Sequence, residues 1–175
     1  MKKVLFLILL VSLCAASAIA GDLQVGDRAS DWSLPDADNN LYTMQSWAGK
    51  VLLINYNDPD EKAMNDHFND AVKEETKNGL LNESTFKGIG IADCKASWKP
   101  DSLIRSFGAS AAKKYNTVIL FDYDASLRDA WGLKKDSANA ILLDKNRVCR
   151  AIIRGRVPDD QVDLLVRMAI DLQDQ

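Results

Sequence analysis

Apolar positions recur along the chain with two different periods. Val51-Leu52-Leu53-Ile54-Asn55-Tyr56 is nearly continuous, as expected of a central strand covered on both faces. Phe86–Ala92 and Val118–Phe121 read as further strands. Ala140–Leu143 and Val148–Ile153 read as a late pair, joined by the turn Asp144-Lys145-Asn146-Arg147. Between these runs the period lengthens to that of a helix. Met64, Phe68, Ala71 and Val72 share one helical face, and Leu103, Ile104, Phe107 and Ala111 a second within Pro100–Tyr115. Val162, Leu165, Val166, Ala169 and Leu172 form a third, after Pro158. Ser126–Trp131 is a short helical piece ending at Gly132.

Local signals sharpen the boundaries. Asp58 suits an N-cap, Pro59 the first helical position and Glu61 the capping-box partner, so the first helix is expected to start at Asp58. Asn78-Gly79 stops it, and Gly108 weakens the second helix. Upstream, Trp32-Ser33-Leu34 and Leu41–Met44 read as hairpin arms around the turn Asp36–Asn40. Asp36-x-Asp38-x-Asn40 begins like a calcium loop, but Leu41 stands where that loop needs glycine and no bidentate Glu follows. The element order is hairpin, β, α, β, α, β, short α, β, β, α. It predicts parallel βαβ units plus a late antiparallel hairpin, a mixed α/β sheet with helices on both faces.

Composition changes this picture in two ways. The 175 residues are 47% hydrophobic and 27% charged with a net charge of −3, enough apolar content to exclude a disordered chain. Three cysteines are too few for a disulfide scaffold, and net acidity argues against a nucleic-acid binder. Residues 1–20 set Lys2 and Lys3 before an apolar run, Val4–Leu13, and end in Ala18-Ile19-Ala20. That is the layout of a cleaved secretory signal peptide, with a retained membrane anchor as the rival reading. Lipid attachment at Cys14 is disfavoured by the large Leu13 before it. The remaining residues, 21–175, have 20 basic and 25 acidic side chains, a net −5, and keep Cys94 and Cys149. The expectation is an exported protein, periplasmic in a Gram-negative host, with no membrane attachment after cleavage.

Gly26-Asp27-Arg28-Ala29-Ser30-Asp31-Trp32-Ser33-Leu34-Pro35-Asp36, followed by Gly49–Tyr56, resembles the opening of peroxiredoxin and TlpA-type thioredoxin-fold proteins. Ala140–Val148 is similar to their late hairpin. A closer resemblance is to the YtfJ family of exported bacterial thioredoxin-like proteins. It is carried by Asp129-Ala130-Trp131-Gly132-Leu133, Leu143-Asp144-Lys145 and Pro158-Asp159-Asp160-Gln161-Val162. The resemblance implies a thioredoxin-like mixed sheet flanked by helices over 21–175, with an N-terminal β-hairpin extension. Some members carry a transcription-regulator label, which the signal segment and the acidity here oppose.

The chain departs from these families at their chemical site. Redox-active members place Cys-x-x-Cys after the central strand, where a helix N-terminus stabilises the thiolate. The matching stretch here is Asn57-Asp58-Pro59-Asp60-Glu61, without sulfur. A peroxidatic cysteine with its Thr is absent too. The position facing that site, where the resemblance implies a cis-proline, falls at Ala138 in Ser137-Ala138-Asn139.

Other candidates remain. Cys94 follows a strand and precedes Lys95, a neighbour able to lower its pKa; the opposing reading is a half-buried, inert thiol. Cys149 lies inside a strand, where packing is expected. A Cys94–Cys149 disulfide is a further option, against which their strands are not expected to be neighbours. His67 is the only histidine; with Asp58, Asp60 and Glu61 it makes at most a weak cation site. A solvated acidic helix start is the preferred reading, so no metal or cofactor is expected. Nothing marks Asp58 and Asp60 as an acid–base pair. Trp32, Trp47 and Trp131 are expected to close the core. Trp98, between Lys95 and Lys99 and beside Cys94, is either a binding anchor or, the preferred expectation, a loop residue folded back on the sheet. Arg147, Arg150, Arg154 and Arg156 read as edge protection for the late hairpin rather than an anion site. The resulting expectation is a non-catalytic binding or accessory module for a protein or peptide partner. The alternative is a thiol-redox enzyme using Cys94, with or without Cys149.

Overall fold

The computed structural model describes residues 21–175. The signal-segment reading of residues 1–20 lies outside the described residues. Seven strands and four α-helices follow in chain order: β1 (Ser33–Pro35), β2 (Leu41–Thr43), β3 (Val51–Asn57), α1 (Asp66–Lys77), β4 (Phe86–Asp93), α2 (Asp101–Tyr115), β5 (Val118–Asp122), α3 (Ser126–Trp131), β6 (Ala138–Leu143), β7 (Cys149–Arg154) and α4 (Val162–Gln173). The main sheet has the order β5-β4-β3-β6-β7, and β1 and β2 form a separate antiparallel hairpin. The β5–β4–β3 half is parallel and the β3–β6–β7 half antiparallel. This is the expected mixed sheet.

The continuous apolar run of β3 sits at the centre of the sheet, and its alternate residues enter two different cores. Val51 and Leu53 meet Phe68 of α1 and Leu165, Val166 and Ala169 of α4. Leu52, Ile54 and Tyr56 meet Leu34 of the hairpin and Leu127 and Trp131 of α3. Trp32 and Trp131 are buried, and Trp47 packs half-buried against the same core, as expected. α2 shares the α1 face, because both crossovers step the same way across the sheet. Its Ile104 packs with Phe121 and Cys94.

Two helices depart from the expectation. α1 begins at Asp66, not Asp58. Asp58 Oδ1 accepts the Asp60 N–H at 2.8 Å, a local turn that competes with helix. Single turns then run through Glu61→Asp58, Met64→Glu61 and Asp66→Ala63. Asn65 is 2% exposed and binds Gly155 O and the Val157 N–H. Those tertiary bonds hold it out of a capping role. In α2 the apolar residues divide between two faces. Ile104 is buried, but Leu103 and Phe107 are 40% and 52% exposed. The helix is rotated to set Gly108 against β5, where a Cβ would lie 2.5 Å from Phe121 Cζ.

The arginines do structural work beyond edge protection. Arg147, 3% exposed, donates to the carbonyls of Met44 (3.1 Å), Lys50 (2.7 Å) and Trp47. Arg154 donates to Gly132 O and Leu23 O. Asp36 accepts the N–H groups of Asp38 and Asn40 at 2.9 Å, so its segment is a turn. His67 Nε2 lies 2.8 Å from Val157 O and 3.4 Å from Asp159 Oδ1, so its recorded partners are not the Asp58–Glu61 carboxylates.

Candidate functional site

Open α/β sheets hold ligands outside the carboxyl ends of their parallel strands. Here those ends are Asn57, Asp93 and Asp122. Asn57, Asp58, Pro59, Asp60 and Glu61 form the loop leaving β3. Asp58 is 6% exposed. Its N–H donates to Ser137 O at 2.9 Å, which closes this loop onto the start of β6. Burial lifts its carboxyl above the usual carboxylate range, and the nearby carboxylates of Asp60, Asp136 and Asp93 lift it further. Asp60 instead bridges to the loop leaving β4. It takes the Ser97 hydroxyl at 2.8 Å and the Lys99 ammonium, and these hold its carboxyl below the usual value.

The loop between Cys94 and Pro100 is held by its polar groups. Ala96 N–H donates to Asp93 Oδ1 at 3.2 Å, and Lys99 N–H to Ser97 Oγ at 3.3 Å. Trp98 is 85% exposed, and Lys99 Nζ stands 5.2 Å from its ring centroid. The expectation that Trp98 folds back on the sheet is therefore corrected. The Ser97 and Lys99 side chains turn to Asp60 in the loop leaving β3, and the indole between them stays in solvent beside the Lys99 ammonium.

Beneath the loops lies a buried network that the pattern reading missed. Asp93 accepts Arg128 Nη1 at 2.9 Å. Asp122 accepts the Tyr56 hydroxyl at 2.8 Å and the Ser126 and Leu127 N–H groups at 3.0 Å. Burial raises the Asp122 carboxyl and pushes the Tyr56 phenol far above its usual range. The available signal was an acid ending each of two adjacent parallel strands. Each carboxylate has donors, so the network supports the loops above it.

The sulfur atoms stand apart from this site's surface. Cys94 is 4% exposed, with its thiol 3.7 Å from Ala92 O. Burial pushes it up to about 12, helped by Asp101, Asp122 and Asp93. The adjacent Lys95 does not lower it. Cys149 is fully buried and pushed up to about 11, again by burial first. Both are free. Cys94 follows β4, and Cys149 sits on β7 beyond β3 and β6. Three strand spacings, roughly 14 Å, rule out the disulfide considered from the sequence. Ala138 pairs with Asn57, where the resemblance placed it. Its side chain is fully buried and its carbonyl takes the Gly155 N–H, so it offers no side-chain surface to a ligand.

The positive end of α1 lies at Asp66, a full loop beyond Asp58. The Asn57–Glu61 segment therefore lacks both a nucleophile and a helix N-terminus to activate one. Among the described residues, no three His, Cys, Asp or Glu side chains gather as a metal site. The void between Phe68, Leu142 and Leu165 is about 10 Å³, no more than one water. No helix among the described residues is long and apolar enough to cross a membrane.

No protein-family model matches the chain, and no curated protein matches it. Solved structures do match its shape. A proposed protein disulfide isomerase of Bacteroides thetaiotaomicron superposes with a TM-score of 0.67 at 16% identity, over 87% of this chain and 92% of that one. A proposed thiol:disulfide interchange protein, DsbE of Chlorobium tepidum, gives 0.60 at 16% identity, over 85% and 99%. Peroxidoxin BcpB of Mycobacterium tuberculosis gives 0.62 at 13% identity, over 85% and 97%. At these identities the likeness establishes the thioredoxin-like fold, and fold does not carry function with it.

Proposed function

We propose that this chain is an exported thioredoxin-fold module of the YtfJ kind that binds a protein or peptide partner without thiol–disulfide chemistry. One observation carries the reading. The loop leaving β3 holds no sulfur, and the two cysteines among the described residues are buried. A thiol at about 12 is roughly one part in ten thousand thiolate at pH 8. Cys94 is thus a poor nucleophile as well as a covered one. Export rests on the charged, apolar and small-residue pattern of residues 1–20.

Thiol titration of residues 21–175 tests the redox half. Both cysteines should react with a thiol reagent only under denaturant, and the folded chain should not accelerate insulin reduction by dithiothreitol. Fast native labelling at Cys94, lost in Cys94→Ser, would establish the thiol-redox alternative instead. Fractionation of cells making the full chain tests export, with the shortened form expected outside the cytoplasm.

A further inference from the structure

Four aspartates among the described residues are buried: Asp58, Asp93, Asp122 and Asp144. Three of them have a donor on each carboxylate oxygen. Asp93 takes the Ala96 N–H on Oδ1 and Arg128 Nη1 on Oδ2. Asp122 takes the Ser126 N–H on Oδ1 and the Tyr56 hydroxyl on Oδ2. Asp144 takes the Asn146 N–H on Oδ1 and Arg150 Nε on Oδ2. Asp58 breaks the pattern. Its Oδ1 accepts the Asp60 N–H, and no group among the described residues donates to its Oδ2. The fully covered side-chain atoms without a partner are Trp32 Nε1 and Asn55 Oδ1. Asp58 Oδ2 is not one of them, so it still meets solvent. A carboxylate that is 6% exposed with one oxygen undonated is costly unless another molecule supplies the donor.

The surrounding charge identifies that donor. The neighbouring carboxylates each have a cation of their own: Asp60 has Lys99, Asp93 has Arg128 and Asp136 has Lys135. Asp58 has none, and Asp60, Asp136 and Asp93 all add negative charge beside it. Lys62 acts on Asp60 and makes no ion pair with Asp58. One positive group is missing. A divalent metal does not fit, because no three His, Cys, Asp or Glu side chains among the described residues gather to hold one. An Arg guanidinium favours both oxygens of a carboxylate, and the Asp60 N–H already occupies Oδ1. A primary ammonium is a compact point charge that needs only one oxygen. Asp58 also follows the carboxyl end of the central strand β3, where open α/β sheets hold ligands.

We propose that Asp58 Oδ2 receives the ammonium of a lysine side chain from a partner protein. The ion pair completes the one buried carboxylate that the fold leaves half-donated, and it offsets the burial of that charge. This names the chemistry of the partner in the binding-module reading and rests on that reading.

An NMR titration of residues 21–175 with the blocked peptide acetyl-Ala-Ala-Lys-Ala-Ala-amide tests the site. The peptide should shift the amide signals of Asp58, Asp60 and Ser137 saturably, with a dissociation constant of about 1 mM. Replacing its lysine by arginine should weaken binding, and replacing it by acetyl-lysine should abolish binding. Asp58→Asn keeps an acceptor for the Asp60 N–H but removes the charge, and should weaken binding by about tenfold or more. Asp136→Asn removes a neighbouring exposed charge and should change binding by less than about twofold. The amide spectrum and thermal midpoint of each variant separate lost binding from lost folding. No saturable shift at about 10 mM peptide would overturn the proposal. So would undiminished binding of the arginine or acetyl-lysine peptide, or equal losses in Asp58→Asn and Asp136→Asn, which mark only a diffuse acidic surface. Thiol titration reads the underlying function separately, so the two ideas fail by different measurements.

Discussion

The Tyr56 hydroxyl donates to Asp122 Oδ2 at 2.8 Å, and both side chains are fully buried. The bond joins the central strand β3 to the end of β5, two strands away. The same carboxylate takes N–H groups at the start of α3. Tyr56→Phe removes a donor to a charged group and should cost about 1.5–3 kcal/mol, read as a lower urea midpoint. The cost should shrink at pH values where the Asp122 acid is protonated, because a neutral carboxyl needs that donor less.

Asp58 predicts a pH effect of definite sign. Its carboxyl is held above the ordinary 3.8, so the folded chain holds this proton more tightly than the unfolded chain. Stability from this site is full below 3.8 and falls as pH rises through the raised value. Asp58→Asn keeps the acceptor for the Asp60 N–H and removes the buried charge. It should raise the thermal midpoint at pH 7 by about 2–4 °C, for a gain of about 1 kcal/mol, and change little at pH 3. Comparing variant with parent at each pH cancels the opposite contribution of Asp36, Asp144 and Asp159, whose carboxyls lie below the usual range.

Gly108→Ala should destabilise although alanine is the better helix former by about 1 kcal/mol. The new Cβ would fall 2.5 Å from Phe121 Cζ. Phe121 is fully buried and stacked on Tyr123 at 5.8 Å, so its ring has little room to move. A net loss of about 1–3 kcal/mol is expected. Phe121→Leu in the same chain should recover part of it in equilibrium unfolding.

Arg147→Met keeps the aliphatic stem and removes the guanidinium that holds Met44, Trp47 and Lys50 by their carbonyls. Those acceptors link the hairpin to the start of β3. A loss of about 2–4 kcal/mol is expected. Amide exchange should rise first in residues 44–50.

The central strand and the late hairpin were legible because each is a local apolar run bounded by turn residues. Val51–Tyr56 can satisfy its side chains only between two covering layers, whatever surrounds it. The start of α1 was not legible. Asp58-Pro59-Asp60-Glu61 has the local chemistry of a cap, but Asn65 bonds residues 90 and 92 positions further along, Gly155 and Val157. Local propensity of a few tenths of a kcal/mol per residue yields to such contacts. The exposed face of α2 was misread for a related reason. Leu103, Ile104 and Phe107 fit one helical stripe, and the close approach of Gly108 to Phe121 chose which side turned inward.

By itself the sequence determined the order of elements, the mixed sheet and the missing sulfur after the central strand, because each is written in residue type and short-range period. Only the tertiary structure decided the state of the remaining thiols and of Trp98. Burial and the carboxylates of Asp93, Asp101 and Asp122 set the Cys94 pKa, and these come from separate strands and a helix. The loop that carries Trp98 is tied to Asp60, 38 residues earlier, through Ser97 and Lys99, and the indole is left exposed. Desolvation and long-range pairing depend on what surrounds a side chain, and a one-dimensional pattern does not contain those surroundings.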